Sequence, residues 1–427
     1  MVTFYIREPP KPRQHPSRPT NLAVERSNRE INVYNRYSDQ IPSLRKIFGA
    51  KYLVMHKRMP YEIRVRMVKG PANVVVNGVC HVLGIDVSGQ TINVRAGKAL
   101  PFEPSNRCRL QARLGHGARL WSADPNEAGT SMWRSLVEQV STLAASKKIT
   151  VMLVGETDTG KSTFTTYLAN MAMRRGLVPR VIDADIGQGD LAPPTAIGAA
   201  VLSKQVVDLR DVSASMFEFV GSISPAGFED LIAKKLRSIV DRTSPMANIS
   251  IVNTDGYVSK SGGGAHYKAM IAEELQPDAI ICLGENAVLH DTLKTGPWQI
   301  LRAKPSSQTY KSRLERLSRR LDQFLRYVGN GSSTAELSQV RAVYMGKLFS
   351  PSELLFQPPL KQLELESMKR IFVGLGSKGK VVGFGVIMNV TPGSRTIHVQ
   401  TDINSFDTIY LSNVRLSSDR IMEIRLT

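Results

Sequence analysis

The chain has 427 residues, 42% hydrophobic and 22% charged, which describes a soluble globular protein of roughly two to four domains. Its 56 Lys and Arg against 37 Asp and Glu leave a formal charge of +19, which favours a polyanionic partner, nucleic acid first, with a solvated basic surface as the alternative. Cys80, Cys108 and Cys282 are far apart without metal-ligand spacing, and no signal peptide or long apolar run stands out, so a disulfide-stapled secreted protein, a zinc site and a membrane span are not expected.

Residues 1–58 form a basic arm. Met1 to Lys69 carries 15 Lys/Arg against 5 Asp/Glu, and Pro9-Pro10-Lys11-Pro12-Arg13 excludes a helix. Its first part is expected to be flexible, either a nucleic-acid tether or a solubilising tail. Over 59–129 the texture changes to short alternating runs such as Ile63/Val65/Met67, Val74-Val75-Val76 and Ile92/Val94. Turns fall at Asn77-Gly78, Ser88-Gly89-Gln90 and Ala96-Gly97, so a small antiparallel β-domain is expected, closing in the polar loop Ser122 to Gly129.

Residues 130–330 alternate helix and strand, which predicts a parallel sheet with helices on both faces. A helix is expected from Ser131 to Ala145, then a buried strand Ile149 to Val154. Gly155-Glu156-Thr157-Asp158-Thr159-Gly160-Lys161-Ser162-Thr163 follows and fits G-x-x-x-x-G-K-[ST], the phosphate-binding loop. A helix from Phe164 to Arg175 comes next. Between strand and helix, backbone N–H groups and the helix dipole can hold phosphates. Lys161 is expected at the β- and γ-phosphates and Ser162 on Mg²⁺.

Strand Arg180 to Asp183 ends in Asp183-Ala184-Asp185-Ile186-Gly187-Gln188-Gly189-Asp190. Carboxylates at this strand end can hold Mg²⁺ and activate a hydroxyl, and strand alternation points Asp183 and Asp185 to one side. The competing reading is an Asx-turn that caps the strand. Strand Ile249 to Asn253 leads to Thr254-Asp255-Gly256-Tyr257, where Tyr257 offers a ring for a base, or a buried core aromatic. Ser261-Gly262-Gly263-Gly264 is expected to be mobile. A further strand runs from Ala279 to Leu283.

Tyr310 to Val328 is expected to be a helix with an apolar stripe of Leu314, Leu317, Leu321, Phe324, Leu325 and Val328. Arg313, Arg316, Arg319 and Arg320 lie on its other side. Residues 302–326 hold eight Lys/Arg against two acids. This is either a solvated face or a lid that brings arginines to a transferring phosphoryl group. Residues 331–427 return to β texture, from Val340 to Met345 through Ile421 to Leu426.

Taken together, these four elements resemble the polynucleotide 5′-hydroxyl-kinase family, the RNA kinases of tRNA splicing, pre-mRNA 3′-end cleavage and ribosomal RNA processing. The resemblance covers about residues 61–427. It implies an α/β fold, a central P-loop NTPase domain flanked by small N-terminal and C-terminal β-domains. Asp183 to Gly189 resembles the family's Asp-x-Asp-x-Gly-Gln motif. Thr254 to Tyr257 resembles its clasp, which usually reads Thr-x-Gly-Trp, so Tyr257 stands where a tryptophan is usual. Arg316 to Gly329 resembles its lid.

The resemblance implies ATP and Mg²⁺ as cofactors and an RNA, or a DNA, with a 5′-hydroxyl end as substrate, with RNA-processing proteins as possible company. ATP is held by the loop 155–163, and Lys98, in a stretch Ala96 to Pro101 that in relatives reaches the base, is a candidate for adenine. Ser162, Asp183 and Asp185 are the metal candidates. Asp185 deprotonates the acceptor, Asp183 assists through the metal shell, and Lys161 with Arg319, then Arg316 and Arg320, stabilises the transferred group. Gln188, Thr254, Gly256 and Tyr257 are the substrate candidates. Three rivals stay open: an ATP-binding scaffold of an RNA-processing complex with little kinase activity, a P-loop ATPase or GTPase switch, and a small-molecule kinase. A cytoplasmic protein of archaeal type is expected, with a nuclear location as the alternative.

Overall fold

The strand before the phosphate-binding loop is the spine of the molecule. Ile149–Val154 (β1) buries every residue but Thr150, because strands on both sides and helices on both faces leave it no solvent. The computed structural model describes residues 2–3, 64–243, 245, 247–258, 263–304, 310–349, 368–391, 395–417 and 420–424; most of the arm 1–58, and Ser261-Gly262, lie outside them.

Around β1 stand Pro179–Ala184 (β2), Ala196–Val201 (β3), Met216–Phe219 (β4), Ile249–Thr254 (β5), Ala279–Leu283 (β6) and Gln299–Ala303 (β7). Their order is β4-β3-β2-β5-β1-β6-β7. The run from β2 to β7 is parallel, but β3 and β4 are antiparallel. The sheet is therefore mixed rather than wholly parallel as expected. The reason is length: residues 185–195 are too few for a crossover helix, so the chain returns alongside β2.

The helices are Thr130–Ala144 (α1), Lys161–Arg174 (α2), Glu229–Thr243 (α3), Gly263–Leu275 (α4), Ala287–Leu293 (α5) and Arg313–Tyr327 (α6). Met152, Ile182, Val252 and Ile280 form one core with Ile232 and Leu236 of α3, Ile271 of α4 and Leu289 of α5. Alternate residues of each strand point to the opposite face, where α1 and α2 pack on β1. There Trp133 meets Phe164 and Tyr167, with ring centroids 5.6 Å apart in both pairs. Gly263 and Gly264, expected to be mobile, open α4 instead.

A C-terminal sheet is built around Ile371–Ser377, Lys380–Thr391 and Thr408–Leu416. It joins the P-loop domain in one compact unit. Phe219 at the end of β4 stacks on Phe372, and Phe324 of α6 meets Phe372 edge-on at 4.7 Å. A Cβ on Gly374 would lie 2.7 Å from the Phe219 ring, so a side chain there would prevent this seating. The root of α6 is thereby fixed to the C-terminal sheet.

The N-terminal unit is antiparallel β-structure. Val65–Lys69 pairs with Ala99–Pro104 and Arg119–Ala123, and Ala72–Asn77 pairs with Thr91–Val94 and Arg109–Leu114. Val2–Thr3, within the arm expected to be flexible, pairs with Gln111 and Ala112. Cys80 and Cys108, distant in sequence, are brought to hydrogen-bonding range by this pairing, and both thiols are free.

Candidate active site

The phosphate-binding loop turns where only glycine fits. A Cβ on Gly155 would sit 2.1 Å from the Leu283 carbonyl oxygen. Gly160 has φ 93°, and α2 starts at the next residue. The N–H groups of that first turn have no intrahelical acceptor, so the loop presents donors to an anion. Lys161 is buried, and its Nζ donates to the carbonyls of Gly155 and Glu156, each at 2.8 Å. Burial lowers its pKa to about 8, with Asp185 pulling the other way. Thr159 Oγ1 donates to the Glu156 carbonyl at 2.9 Å, and Ser162 and Thr163 are half-buried on the first turn of the helix.

The parallel register sets Asp183 of β2 beside Asn253 of β5. Asn253 Nδ2 donates to Asp183 Oδ1 at 3.0 Å and to Ser162 Oγ at 3.3 Å. One amide thus ties the acidic motif to the P-loop. Asp183 Oδ2 accepts the backbone N–H groups of Asp190 at 2.5 Å and Leu191 at 3.3 Å. Its pKa is raised to about 6, first by burial and then by Asp190 and Asp185. β2 ends at Ala184, so Asp185 opens the loop rather than continuing the strand. Asp185 Oδ1 accepts from the N–H of Gly187 at 3.1 Å and of Gln188 at 2.8 Å. Burial and Asp255 raise its pKa; Lys161 opposes them. The Asx-turn and the acidic site, read as alternatives, coexist in the same two carboxylates.

Hard oxygen donors suit Mg²⁺. Ser162 Oγ, Asp183 and Asp185 supply them, and Asn253 Oδ1 is a buried acceptor with no hydrogen-bond partner among the described residues. A dication held by Ser162 and the two carboxylates would offset the cost of ionising Asp183, so the residues fit the ion. No group of three or more His, Cys, Asp or Glu among the described residues could hold a metal by itself.

The clasp lies against the P-loop. A Cβ on Gly256 would be 2.5 Å from Thr157 Oγ1 and 2.8 Å from its backbone nitrogen. Thr254 is buried and its Oγ1 donates to the Leu153 carbonyl at 2.7 Å. Tyr257 is half-buried, with its ring 6.1 Å from that of Tyr267. Asp255 accepts from the Tyr257 N–H at 2.8 Å, from the Tyr267 hydroxyl at 3.0 Å and from Lys268 Nζ at 2.7 Å.

The lid helix α6 starts at Arg313, behind a capping box of Ser312 and Glu315. Its orientation corrects the expected stripe. Phe324 is buried, but Leu314 and Leu325 are 76% and 61% exposed, while Arg319 and Gln323 are buried. The polar face turns inward because the 187–192 loop offers it carbonyls. Arg320 Nε donates to the Gly187 carbonyl at 2.9 Å, and Arg319 Nη2 donates to the Gln188 carbonyl at 2.8 Å and to Asp190 Oδ1 at 2.6 Å. Gln323 Nε2 reaches the carbonyls of Gly189, Asp190 and Ala192. Arg316 Nη2 donates to Asp158 Oδ2 at 2.6 Å, and Gln188 Nε2 to the Arg316 carbonyl at 3.3 Å. All three candidate arginines hold the lid down on the P-loop and the acidic motif.

The candidates of the P-loop, acidic motif, clasp and lid therefore converge within one compact unit. Lys98 belongs to the N-terminal unit, where it is buried at a turn closed by its N–H on the Arg95 carbonyl. Asn253, Asp190 and the Asp255–Lys268 pair did not stand out in the sequence; Asn253 was signalled only by a polar residue ending a buried strand. A cavity of about 520 Å³ beyond β6, lined in part by Glu285, His290, Arg302 and Lys304, adjoins the P-loop through Asn286, whose Nδ2 donates to Glu156 Oε1 at 2.9 Å.

Comparison with known proteins agrees with this geometry. The family described as "mRNA cleavage and polyadenylation factor CLP1 P-loop" matches residues 155–330. A polyribonucleotide 5′-hydroxyl-kinase of Pyrococcus horikoshii is 28% identical over 284 residues, 65% of this chain and 75% of the relative. Polyribonucleotide 5′-hydroxyl-kinase Clp1 of Xenopus tropicalis is 25% identical over 248 residues, 52% of this chain and 54% of the relative. In solved structures the fold is similar to that of Clp1p in a complex with Pcf11p, with a TM-score of 0.63 at 14% identity, covering 83% of this chain and 96% of that one. The P-loop, the acid pair at the end of β2, the clasp and the lid sit in one crevice of a shared fold; residues 155–330 match the Clp1 P-loop family, and the chain is similar to curated polyribonucleotide 5′-hydroxyl-kinases.

Proposed function

We propose that the protein transfers the γ-phosphoryl group of ATP to the 5′-hydroxyl end of RNA. The observation that carries the reading is the Ser162–Asn253–Asp183 chain, which brings two of the metal candidates together beside the P-loop. The N–H groups of Gly160 to Thr163 receive the phosphates, and Lys161 exchanges its two loop carbonyls for phosphate oxygens. Ser162, Asp183 and Asp185 would hold Mg²⁺, which neutralises charge on the phosphates when bound. Asp185 is the base: burial and Asp255 raise its proton affinity, as accepting a hydroxyl proton requires. The clasp, Thr254 to Tyr257, and Gln188 receive the RNA end. Arg319, Arg316 and Arg320 face the same crevice and turn from loop carbonyls to the transferring group. The cavity beyond β6 suits the nucleoside end of ATP. A cytoplasmic setting completes the proposal.

The test is transfer of labelled γ-phosphate from ATP·Mg²⁺ to short 5′-hydroxyl oligonucleotides, RNA and DNA side by side. Label at the 5′ end, lost in Lys161→Ala, is the expected result. Tight ATP binding with no label would overturn the kinase reading in favour of a nucleotide-holding scaffold.

A further inference from the structure

Helix α4 buries eight side-chain positions, and among them Lys268 alone carries charge. Its side chain is 0% exposed and its Nζ is 2.7 Å from Asp255 Oδ1, itself 6% exposed. The ammonium also lies 4.4 Å from the centre of the Tyr267 ring. Burying such a pair costs desolvation that its attraction barely repays, and apolar residues of similar volume would serve the fold as well. The pair therefore calls for an account beyond stability.

Asp255 supplies it. It lies between Thr254 and Gly256 of the clasp, and the same Oδ1 that meets Lys268 accepts the Tyr257 N–H at 2.8 Å. Its Oδ2 accepts the Tyr267 hydroxyl at 3.0 Å. These bonds fix the turn across Gly256, whose Cα is so close to Thr157 that a methyl group could not be added without displacement. The clasp is thus wedged between the P-loop and a carboxylate that its buried counter-ion holds in place.

We propose that Lys268 is a positioning residue for the acceptor: through Asp255 it holds the Gly256–Tyr257 backbone at the height where the 5′-hydroxyl must meet the γ-phosphate. The inference rests on the kinase reading above. It separates two jobs within the crevice. Lys161 and the P-loop set the donor, and the Lys268–Asp255 pair sets the acceptor.

The experiment measures phosphate transfer to 5′-hydroxyl RNA by the full chain, and ATP affinity separately by calorimetry. Lys268→Gln should raise KM for RNA about tenfold or more, the order of one lost charge-assisted hydrogen bond, while the ATP Kd stays within about threefold. A merely structural lysine would loosen both ligands together, so equal losses in RNA KM and ATP Kd would overturn the proposal, as would an unchanged RNA KM. If Lys268→Gln fails to fold, Asp255→Leu/Tyr267→Phe/Lys268→Met removes every buried polar member of the set and is judged by the same split. Failure of the wild-type chain itself to phosphorylate RNA while binding ATP would overturn the kinase reading, and this inference with it.

Discussion

Asp183→Asn separates the cost of the acidic corner from its use. Burial and two neighbouring carboxylates raise the Asp183 pKa from 3.8 to about 6. For an acid so shifted the folded state holds the proton more tightly than the unfolded chain, so this group favours folding below the unfolded value and works against it as pH rises through the folded one. At about 1.4 kcal/mol per unit, the ionised carboxylate costs the nucleotide-free protein about 3 kcal/mol at pH 8. Asparagine removes that charge and keeps an acceptor for the N–H groups of Asp190 and Leu191; a flipped Asn253 amide would turn its orphaned oxygen to the new NH₂. The variant should therefore melt a few degrees higher than wild type at about pH 8, gain about half as much near pH 5, and lose about 10³-fold in phosphate transfer. Differential scanning calorimetry at both pH values, with the labelled-phosphate assay, reads all three. Equal destabilisation at both pH values would refute the reasoning, since the carboxylate would then act through its hydrogen bonds alone.

The same shifts predict a bell-shaped kcat/KM for ATP. Activity should rise as Asp183 ionises near pH 6 and fall as Lys161 discharges near pH 8, and a flat profile from about pH 5 to 9 would count against both assignments. Asp158→Asn weakens the bonds from Arg316 Nη2 and the Lys311 N–H, so hydrogen exchange over α6 should speed up in the nucleotide-free protein. Gly256→Ala forces the clasp off Thr157 and should cost about 10²-fold in kcat/KM for RNA, because displacements near 1 Å already do so.

What the sequence disclosed was what is local. The P-loop was legible because its strand, turn and helix are consecutive, although one reason for Gly155, the nearby Leu283 carbonyl, comes from the fold. The acidic motif was legible for the same reason, although its two carboxylates also cap their own loop. Asn253 was not, because its role comes from the register of β5 against β2 and β1. Lys268 was hidden likewise, one charged residue on the buried side of α4 whose partner lies across a turn. The mixed edge of the sheet was missed, because it comes from the shortness of residues 185–195, a constraint of length rather than of pattern.

The lid shows the deepest limit of periodicity. The pattern of leucines and arginines on α6 predicts two faces, and the usual rule buries the apolar one; the structure instead buries Phe324 together with Arg319 and Gln323 and exposes Leu314 and Leu325. Here the rule reverses because the loop 187–192 carries carbonyls and the Asp190 carboxylate that need donors, and one helix face of arginine and glutamine satisfies them. Leaving those acceptors buried without partners would cost more than exposing Leu314 and Leu325. That inward polar face also keeps the lid arginines engaged in the nucleotide-free protein. Each arginine that would serve a phosphoryl group is engaged by a group that phosphate oxygens can replace, so a nucleotide must compete for the lid before it can use it. ATP binding should then bring order to the crevice in proportion to the contacts it takes from Gly187, Gln188 and Asp190. Substituting Asp190 with Asn weakens the Arg319 contact without touching the phosphates, and it should tighten ATP while loosening the lid of the free protein; weaker ATP binding in that variant would show that the arginine needs Asp190 to face the phosphate at all.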